Sequence, residues 1–313
     1  MTLPLVVSLG DPAGIGPEVA LKAVAGRDDC VVVGDRGLIE AAAARLGLPL
    51  PRHVHAPPAV ACPLELLFAG APFADAGRAA AAAVRAGADL VAQGRGAALV
   101  TAPLHKVSLA LAGEPHPGHT ELLAHHFGDV PVRMLLQGPT LRVSLVTIHV
   151  ALSQVPTLVD VDGIVETCAL TAEFLRGLGI DAPRLAVCAL NPHAGDGQRF
   201  GHEDATVVSV AVDEARARGL DAEGPLPADS LFPRAARPDA PWDAVVAMYH
   251  DQGLIPVKLA SFGQATNVTL GLPIVRTSPD HGTAFDIAGQ GVADPGSTIA
   301  ALKVARDLAA ARS

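Results

Sequence analysis

Three short apolar runs in this chain each end on a histidine, and that repetition restricts the folds open to it. Trp242 to Lys258 reads WDAVVAMYHDQGLIPVK. Ala244 to Met248 suits a strand covered on both faces, and the run stops on Tyr249, His250 and Asp251. Leu141 to Ile148 (LRVSLVTI) ends on His149, and Arg184 to Leu190 (RLAVCAL) ends on Asn191, Pro192 and His193. In open α/β sheets ligands bind beyond the carboxyl ends of the strands. Three histidines delivered to such an edge suit one metal ion and leave coordination positions open, as in a catalytic site. Any one of them alone reads equally well as a satisfied core or surface residue, so their matching placement carries the argument.

The rest of the chain alternates strand-like and helix-like segments, which means α/β with a largely parallel sheet. Leu3 to Leu9 is a first strand. It runs into Gly10-Asp11-Pro12-Ala13-Gly14-Ile15-Gly16-Pro17-Glu18, with Pro17 and Glu18 suited to the start of a helix. This turn partly mimics a dinucleotide-binding fingerprint. Gly14 and Gly16 fit as cofactor contacts, and Asp35 follows a second strand (CVVVGD), but Val19 stands where a third glycine belongs. A glycine-rich turn with no ligand is the competing reading. Helices are expected over GLIEAAAARLG, from about Ala76 to Gln93, over ELLAHHF, from Val161 to Leu178, from Ala205 to Arg218 and over about 297–311. Strands are expected at 97–106, ending on Thr101, His105 and Lys106, and at 266–275. DQGLIPVK reads as an extension of the strand before it.

Half the residues are hydrophobic and 18% are charged, so the chain is globular rather than disordered. A formal net charge of −9, with no basic stripe, argues against nucleic acid as a partner. No apolar run is long enough to span a membrane, and the N-terminal segment reads as a strand rather than a signal peptide. Cys30, Cys62, Cys168 and Cys188 form no CxxC pair and read as reduced thiols of a cytoplasmic protein.

Several polar motifs are too rich for core. NPHAGDGQRFGHED after Leu190 reads as an ordered functional loop. In PGHTE, His119 or Thr120 suits a helix cap as well as a ligand contact, while His125 and His126 read as structural or solvated. Lys258 and Arg276, with Asn267 between them, suit a phosphate or carboxylate substrate, against the alternative of solvated surface charges.

Taken together, GDPAGIGPE, TAPLHK, PGHTE, LNPHAGDG, GPLPADSLF, MYHDQGLIPVK and NVTLGLPIVRTSPDHGTAFDIAG resemble the 4-hydroxythreonine-4-phosphate dehydrogenase family of pyridoxal phosphate biosynthesis, from one end of the chain to the other. The resemblance implies an isocitrate/isopropylmalate dehydrogenase-like α/β fold, with two domains of largely parallel sheets and a cleft between them. The first domain is expected at 1–112 plus about 278–313. The second, at 113–277, would carry the metal ligands and the dimer interface. The resemblance removes Asp35 as a ribose ligand.

It also implies metal binding by His149, His193 and His250, and substrate contacts from His119, Thr120, Lys258, Asn267 and Arg276. The family forms homodimers with a shared metal site, so His250 would come from the opposite chain to His149 and His193. The implied reaction is NAD(P)+ oxidation of 4-phosphooxy-L-threonine with a divalent metal (zinc, cobalt or magnesium), followed by decarboxylation. Lys258, or a water held by Asp251, is the candidate proton acceptor. Three rival readings are a paralogous 4-phospho-D-threonate or 4-phospho-D-erythronate dehydrogenase, an acyl-phosphate transferase, and a non-catalytic metal- and phosphate-binding protein.

Overall fold

A computed structural model describes residues 2–57, 60, 62–261 and 264–311. Part of the proline-rich connection expected around Pro51 to Pro63 (58, 59 and 61) lies outside the described residues, as do the chain ends 1 and 312–313. The chain divides into two compact units, one built from 2–132 and 272–311 and the other from Arg133–Gly271.

In chain order the first unit begins with β1 (Leu5–Ser8), α1 (Gly16–Val24), β2 (Cys30–Val33), α2 (Arg36–Leu46) and β3 (Val54–His55). It continues with α3 (Ala74–Ala92), β4 (Ala98–Thr101), α4 (Lys106–Leu111) and α5 (His119–His126). The second unit holds β5 (Arg133–Gln137), β6 (Arg142–Leu145), α6 (Val155–Leu158), α7 (Val161–Arg176), β7 (Arg184–Cys188) and α8 (Ser209–Ala217). It closes with β8 (Asp221–Leu226), α9 (Ala228–Ala235), β9 (Ala244–Ala247), α10 (His250–Ser261) and β10 (Thr266–Leu270). The chain then returns to the first unit for β11 (Arg276–Pro279) and α11 (Gly296–Ala311).

The first unit's strands lie in the order β3-β2-β1-β4-β11, all parallel. β1, β4 and β11 are four-residue runs (LVVS, ALVT and RTSP) buried at every position, as sheets covered by helices on both faces require, while β3 is a two-residue edge strand. Val6 and Leu99 share a core with Val84 of α3 and with Leu122 and Leu123 of α5. Residues 113–132 therefore pack with the first unit, because the apolar face of α5 is buried there.

In the second unit the order is β10-β5-β6-β9-β7-β8. β6, β9, β7 and β8 run parallel, while β5 pairs antiparallel with both β6 and β10. Its core joins Val143 and Leu145 of β6, Val245 and Ala247 of β9, Ala186 and Cys188 of β7, and Leu254 and Val257 of α10.

Three expectations are corrected. DQGLIPVK is no strand extension. The chain turns at Tyr249 into α10, with Pro256 inside the helix. The strand expected at 266–275 ends at Leu270, before Gly271 with a φ of 87, and the next strand begins only at Arg276. The run expected at 97–106 leaves the sheet after Thr101, where Pro103 has no amide hydrogen to give a ladder. β5, β8 and α9 are additions that the apolar pattern does not announce.

Candidate active site

β6, β9 and β7 are parallel neighbours, so their carboxyl ends lie at one edge of the second unit's sheet. Beyond Leu145 the backbone keeps company with the other strand. The Val146 N–H donates to the Ala247 carbonyl at 2.9 Å, and the Thr147 N–H donates to that of Met248 at 3.1 Å. This pairing carries His149 to His250, and their ring centroids lie 5.7 Å apart at an interplanar angle of 42°. His250 opens α10, and its Nδ1–H donates to Asp251 Oδ1 at 2.7 Å. A carboxylate on one ring nitrogen fixes the tautomer and leaves Nε2 as a lone-pair donor, the usual support of a metal-binding imidazole.

His193 arrives differently. It stands on the short turn Pro192–Gly195 with a positive φ of 54, next to Ala194 at the same φ. Non-glycine residues held in this region cost free energy and cluster at functional loops. Asp204 holds the turn in place. Its buried carboxylate accepts the N–H of Leu190 at 2.6 Å and that of Asn191 at 3.0 Å. Asn191 in turn donates from Nδ2 to Glu203 Oε2 at 2.9 Å. Gln252 ties the ends of β9 and β7 together, accepting from the Met248 N–H at 2.8 Å and donating to the Ala189 carbonyl at 2.7 Å. Neither Asp204 nor Gln252 stands out in the sequence, because both act on backbone groups that only the fold brings near.

His193 lines a cavity of about 580 Å³ with Asn191, Asp229, Tyr249, Asp251 and Gln252. Among the described residues no three histidine, cysteine or acidic side chains of one chain converge where an ion would sit. The ring pair formed within one chain is His149 with His250, where the family resemblance implied His149 with His193. Lys258 is exposed two turns along α10, about 12 Å from His250 in axial rise. Asn267, on β10 opposite Leu136, has a buried side-chain oxygen with no partner among the described residues. An unsatisfied buried polar atom marks a place where something else bonds.

In the first unit Arg276 opens β11 and is almost fully buried. Its Nε donates to Thr101 Oγ1 at 3.1 Å and its Nη2 to the same oxygen at 2.6 Å. Burial lowers the guanidinium to about 10, with the Glu121 carboxylate pulling the other way. His119 is the first residue of α5, where the cap is Gly118 and no side chain bonds the free amides. Neither His119 nor Thr120 is therefore the cap that the sequence allowed. Burial holds His119 well below the ordinary histidine range. The charge on Arg276 adds to this and a bond at the Ala102 backbone opposes it. Its Nε2 is buried and has no partner among the described residues. His125 and His126 face Asp129 at 3.0 Å and Asp89 at 2.8 Å, as structural residues do.

The GDPAGIGPE turn is wholly buried. A Cβ on Gly14 would meet the Thr283 carbonyl at 2.7 Å, and one on Gly16 would meet the Leu9 carbonyl at 2.9 Å. Both glycines are explained by close packing of the chain on itself. Glu18 is buried against Lys22 at 2.8 Å and accepts the Ala293 N–H at 2.8 Å. Asp35 caps α2 through the Leu38 N–H at 2.9 Å, which accounts for it without a ribose. All four cysteines are free and buried, and burial raises the Cys30 thiol to about 11, far from a thiolate nucleophile.

The fold is of the isocitrate/isopropylmalate dehydrogenase-like type, and the class is a metal-assisted α/β oxidoreductase. The family model described as pyridoxal phosphate biosynthetic protein PdxA matches residues 27–305. A 4-hydroxythreonine-4-phosphate dehydrogenase of Desulfosudis oleivorans is 45% identical over 98% of this chain and 96% of its own length. That of Erythrobacter litoralis is 44% identical over 99% and 98%. The solved structure of 4-hydroxythreonine-4-phosphate dehydrogenase from Klebsiella pneumoniae superposes with a TM-score of 0.89 at 37% identity, covering 98% of this chain and all of that one. This chain belongs to the PdxA family of pyridoxal phosphate biosynthesis. Membership of a dehydrogenase family implies a nicotinamide cofactor and a divalent metal. Among the described residues no helix is long and apolar enough to cross a membrane.

Proposed function

We propose that this chain oxidises 4-phosphooxy-L-threonine with NAD+ or NADP+ to 2-amino-3-oxo-4-phosphooxybutanoate, which loses CO2 to give 3-amino-2-oxopropyl phosphate. The observation that carries the reading is the full-length likeness to enzymes of that name, joined to an imidazole pair in which Asp251 fixes the tautomer of His250. Hydride leaves the carbon bearing the hydroxyl for the nicotinamide, and the hydroxyl proton goes to a base. The resulting β-keto acid then expels CO2, its bonding electrons pass into the enolate, and a proton returns to carbon.

His149 and His250 of one chain fit a divalent cation, and His193 of the partner subunit completes the set in a homodimer. Bound there, a divalent cation acidifies the substrate hydroxyl and stabilises the enolate. Imidazole donors suit zinc or cobalt better than magnesium. Arg276 takes an anionic end of the substrate, with Thr101 aligning the guanidinium. His119, kept neutral by burial, hydrogen-bonds through Nε2 with no added charge, and Asn267 accepts through its open oxygen. Thr120 adds a hydroxyl beside His119. Asp251 is committed to the His250 ring, so Lys258 is the proton acceptor of choice. The free, buried thiols suit a cytoplasmic enzyme.

The sugar-acid branch differs only by a hydroxyl in place of the amine beside the carboxylate, and the named relatives favour the amino substrate. Purified protein with zinc, cobalt or magnesium and either nicotinamide cofactor is assayed on 4-phosphooxy-L-threonine and on 4-phospho-D-threonate, following reduced nicotinamide absorbance. Turnover of the first substrate alone is expected. Turnover of the second alone would transfer the chain to the sugar-acid branch, and silence with both refutes a dehydrogenase.

A further inference from the structure

The strands that carry the histidines have a second end. Arg142 opens β6, Arg184 opens β7 and Asp243 immediately precedes β9, so all three sit at the amino edge of the sheet. Four strand residues separate that edge from the histidine edge, about 13 Å. Here lies a separate cavity of about 430 Å³, lined among others by Thr140, Arg142, Arg184, Arg237, Trp242 and Asp243. Its volume falls within the range of small-molecule sites, about 300–1,000 Å³.

The charges in this cavity do not balance. Asp243 is mostly engaged by backbone, its Oδ2 accepting the Arg184 N–H at 2.8 Å, with Arg184 Nε at 3.6 Å. Arg142 donates from Nη1 to the Asp243 carbonyl at 3.3 Å, and its Nε is buried with no partner among the described residues. Arg237 makes no ion pair among the described residues. Three guanidinium groups thus face one carboxylate. A buried guanidinium nitrogen without an acceptor is costly, and an exposed arginine alone would be no argument. The net surplus of two positive charges matches a phosphomonoester, which carries about −1.5 to −2 at neutral pH, better than a monocarboxylate. Guanidinium forks also suit phosphate oxygens.

We propose that this pocket binds a small organic phosphomonoester, at the sheet edge opposite the candidate metal centre and independently of the reaction assigned above. The chain's single tryptophan, Trp242, reports on it directly. Its Nε1 donates to Glu223 at 2.7 Å and Arg234 covers its ring at 4.7 Å, so it sits in a fixed, charged environment.

Tryptophan emission and calorimetric heat are titrated with glycerol 3-phosphate, against glycerol and sodium chloride at matched ionic strength. A saturable response to the phosphomonoester alone is expected in the wild type and in Arg276→Met. In Arg142→Met/Arg237→Met the affinity should fall by about tenfold or more, as loss of charge-assisted contacts implies. If circular dichroism finds that double variant unfolded, Arg237→Met, an exposed change, should still weaken binding. No saturable signal by either method, equal affinity in the arginine variants, or loss of the signal in Arg276→Met would each overturn the pocket.

Discussion

His119 and Arg276 are both withdrawn from water, and their environments keep one neutral and the other charged. Arg276 retains its charge at about 10, with Glu121 near and the Thr101 hydroxyl accepting twice. His119 is held neutral by burial and by that same arginine. The consequence for stability has a definite sign. Above the ordinary histidine value of 6.5, folded and unfolded chains both carry a neutral His119, so it contributes no pH dependence. Below it the unfolded chain takes up a proton that the folded chain refuses, and stability falls with pH. Urea denaturation at pH 7.5 and pH 5 should therefore find the wild type losing more stability on acidification than His119→Asn does. Equal losses would mean that His119 protonates freely in the folded state. The residue types at this site are legible in PGHTE and in VRTSPDHG. The arginine–threonine contact is not, since Thr101 and Arg276 meet only because β4 and β11 are parallel neighbours.

α10 shows where reading by element succeeds and where it stops. The strand before it is legible because AVVA is apolar at every position, and the histidine after it is legible as a strand-end residue. The helix itself is hidden by Gly253 and Pro256, two residues that ordinarily argue against one. β5 is hidden for a related reason, because Arg133 and Gln137 bracket an apolar centre of only three residues, Met134 to Leu136. Packing explains the glycine. A Cβ at Gly253 would lie 2.7 Å from Leu145 Cδ2, 2.8 Å from Val143 Cγ1 and 3.1 Å from Ala247 Cβ, so the helix rests directly on β6 and β9. Gly253→Ala should gain about 1 kcal/mol of helix propensity. It should lose more to overpacking, which costs about 1–3 kcal/mol when the neighbours are buried strand side chains. The expected net is a destabilisation of up to about 2 kcal/mol by denaturant titration, with weaker zinc binding, because His250 begins this helix. A variant as stable as the wild type would mean that α10 can lift off the sheet without strain.

At the scale of the assembled molecule the question is which chain supplies which histidine. The three candidates are visible in the sequence because each ends an apolar run. Their grouping is not, since it depends on which strand ends adjoin, and the segment 146–149 follows the backbone of 247–248. That path joins His149 to His250 and leaves His193 on its own left-handed turn. In a homodimer with a shared metal site, His193 would then be the residue contributed across the interface. Each site would hold His149 and His250 from one subunit and the third imidazole from the other. His149→Ala, His193→Ala and His250→Ala should each fold, bind metal poorly and turn over no substrate. Co-expressed His149→Ala and His193→Ala chains should behave differently. Half of randomly formed dimers are hybrids, and in each hybrid one site collects both defects while the other is intact. About a quarter of wild-type activity should return, from two-fold symmetry alone. His149→Ala with His250→Ala should return none, because every hybrid site then lacks one histidine of the pair. If His250 were the residue that crosses, the outcomes would be exchanged, with His149→Ala and His250→Ala complementing and His149→Ala and His193→Ala remaining dead.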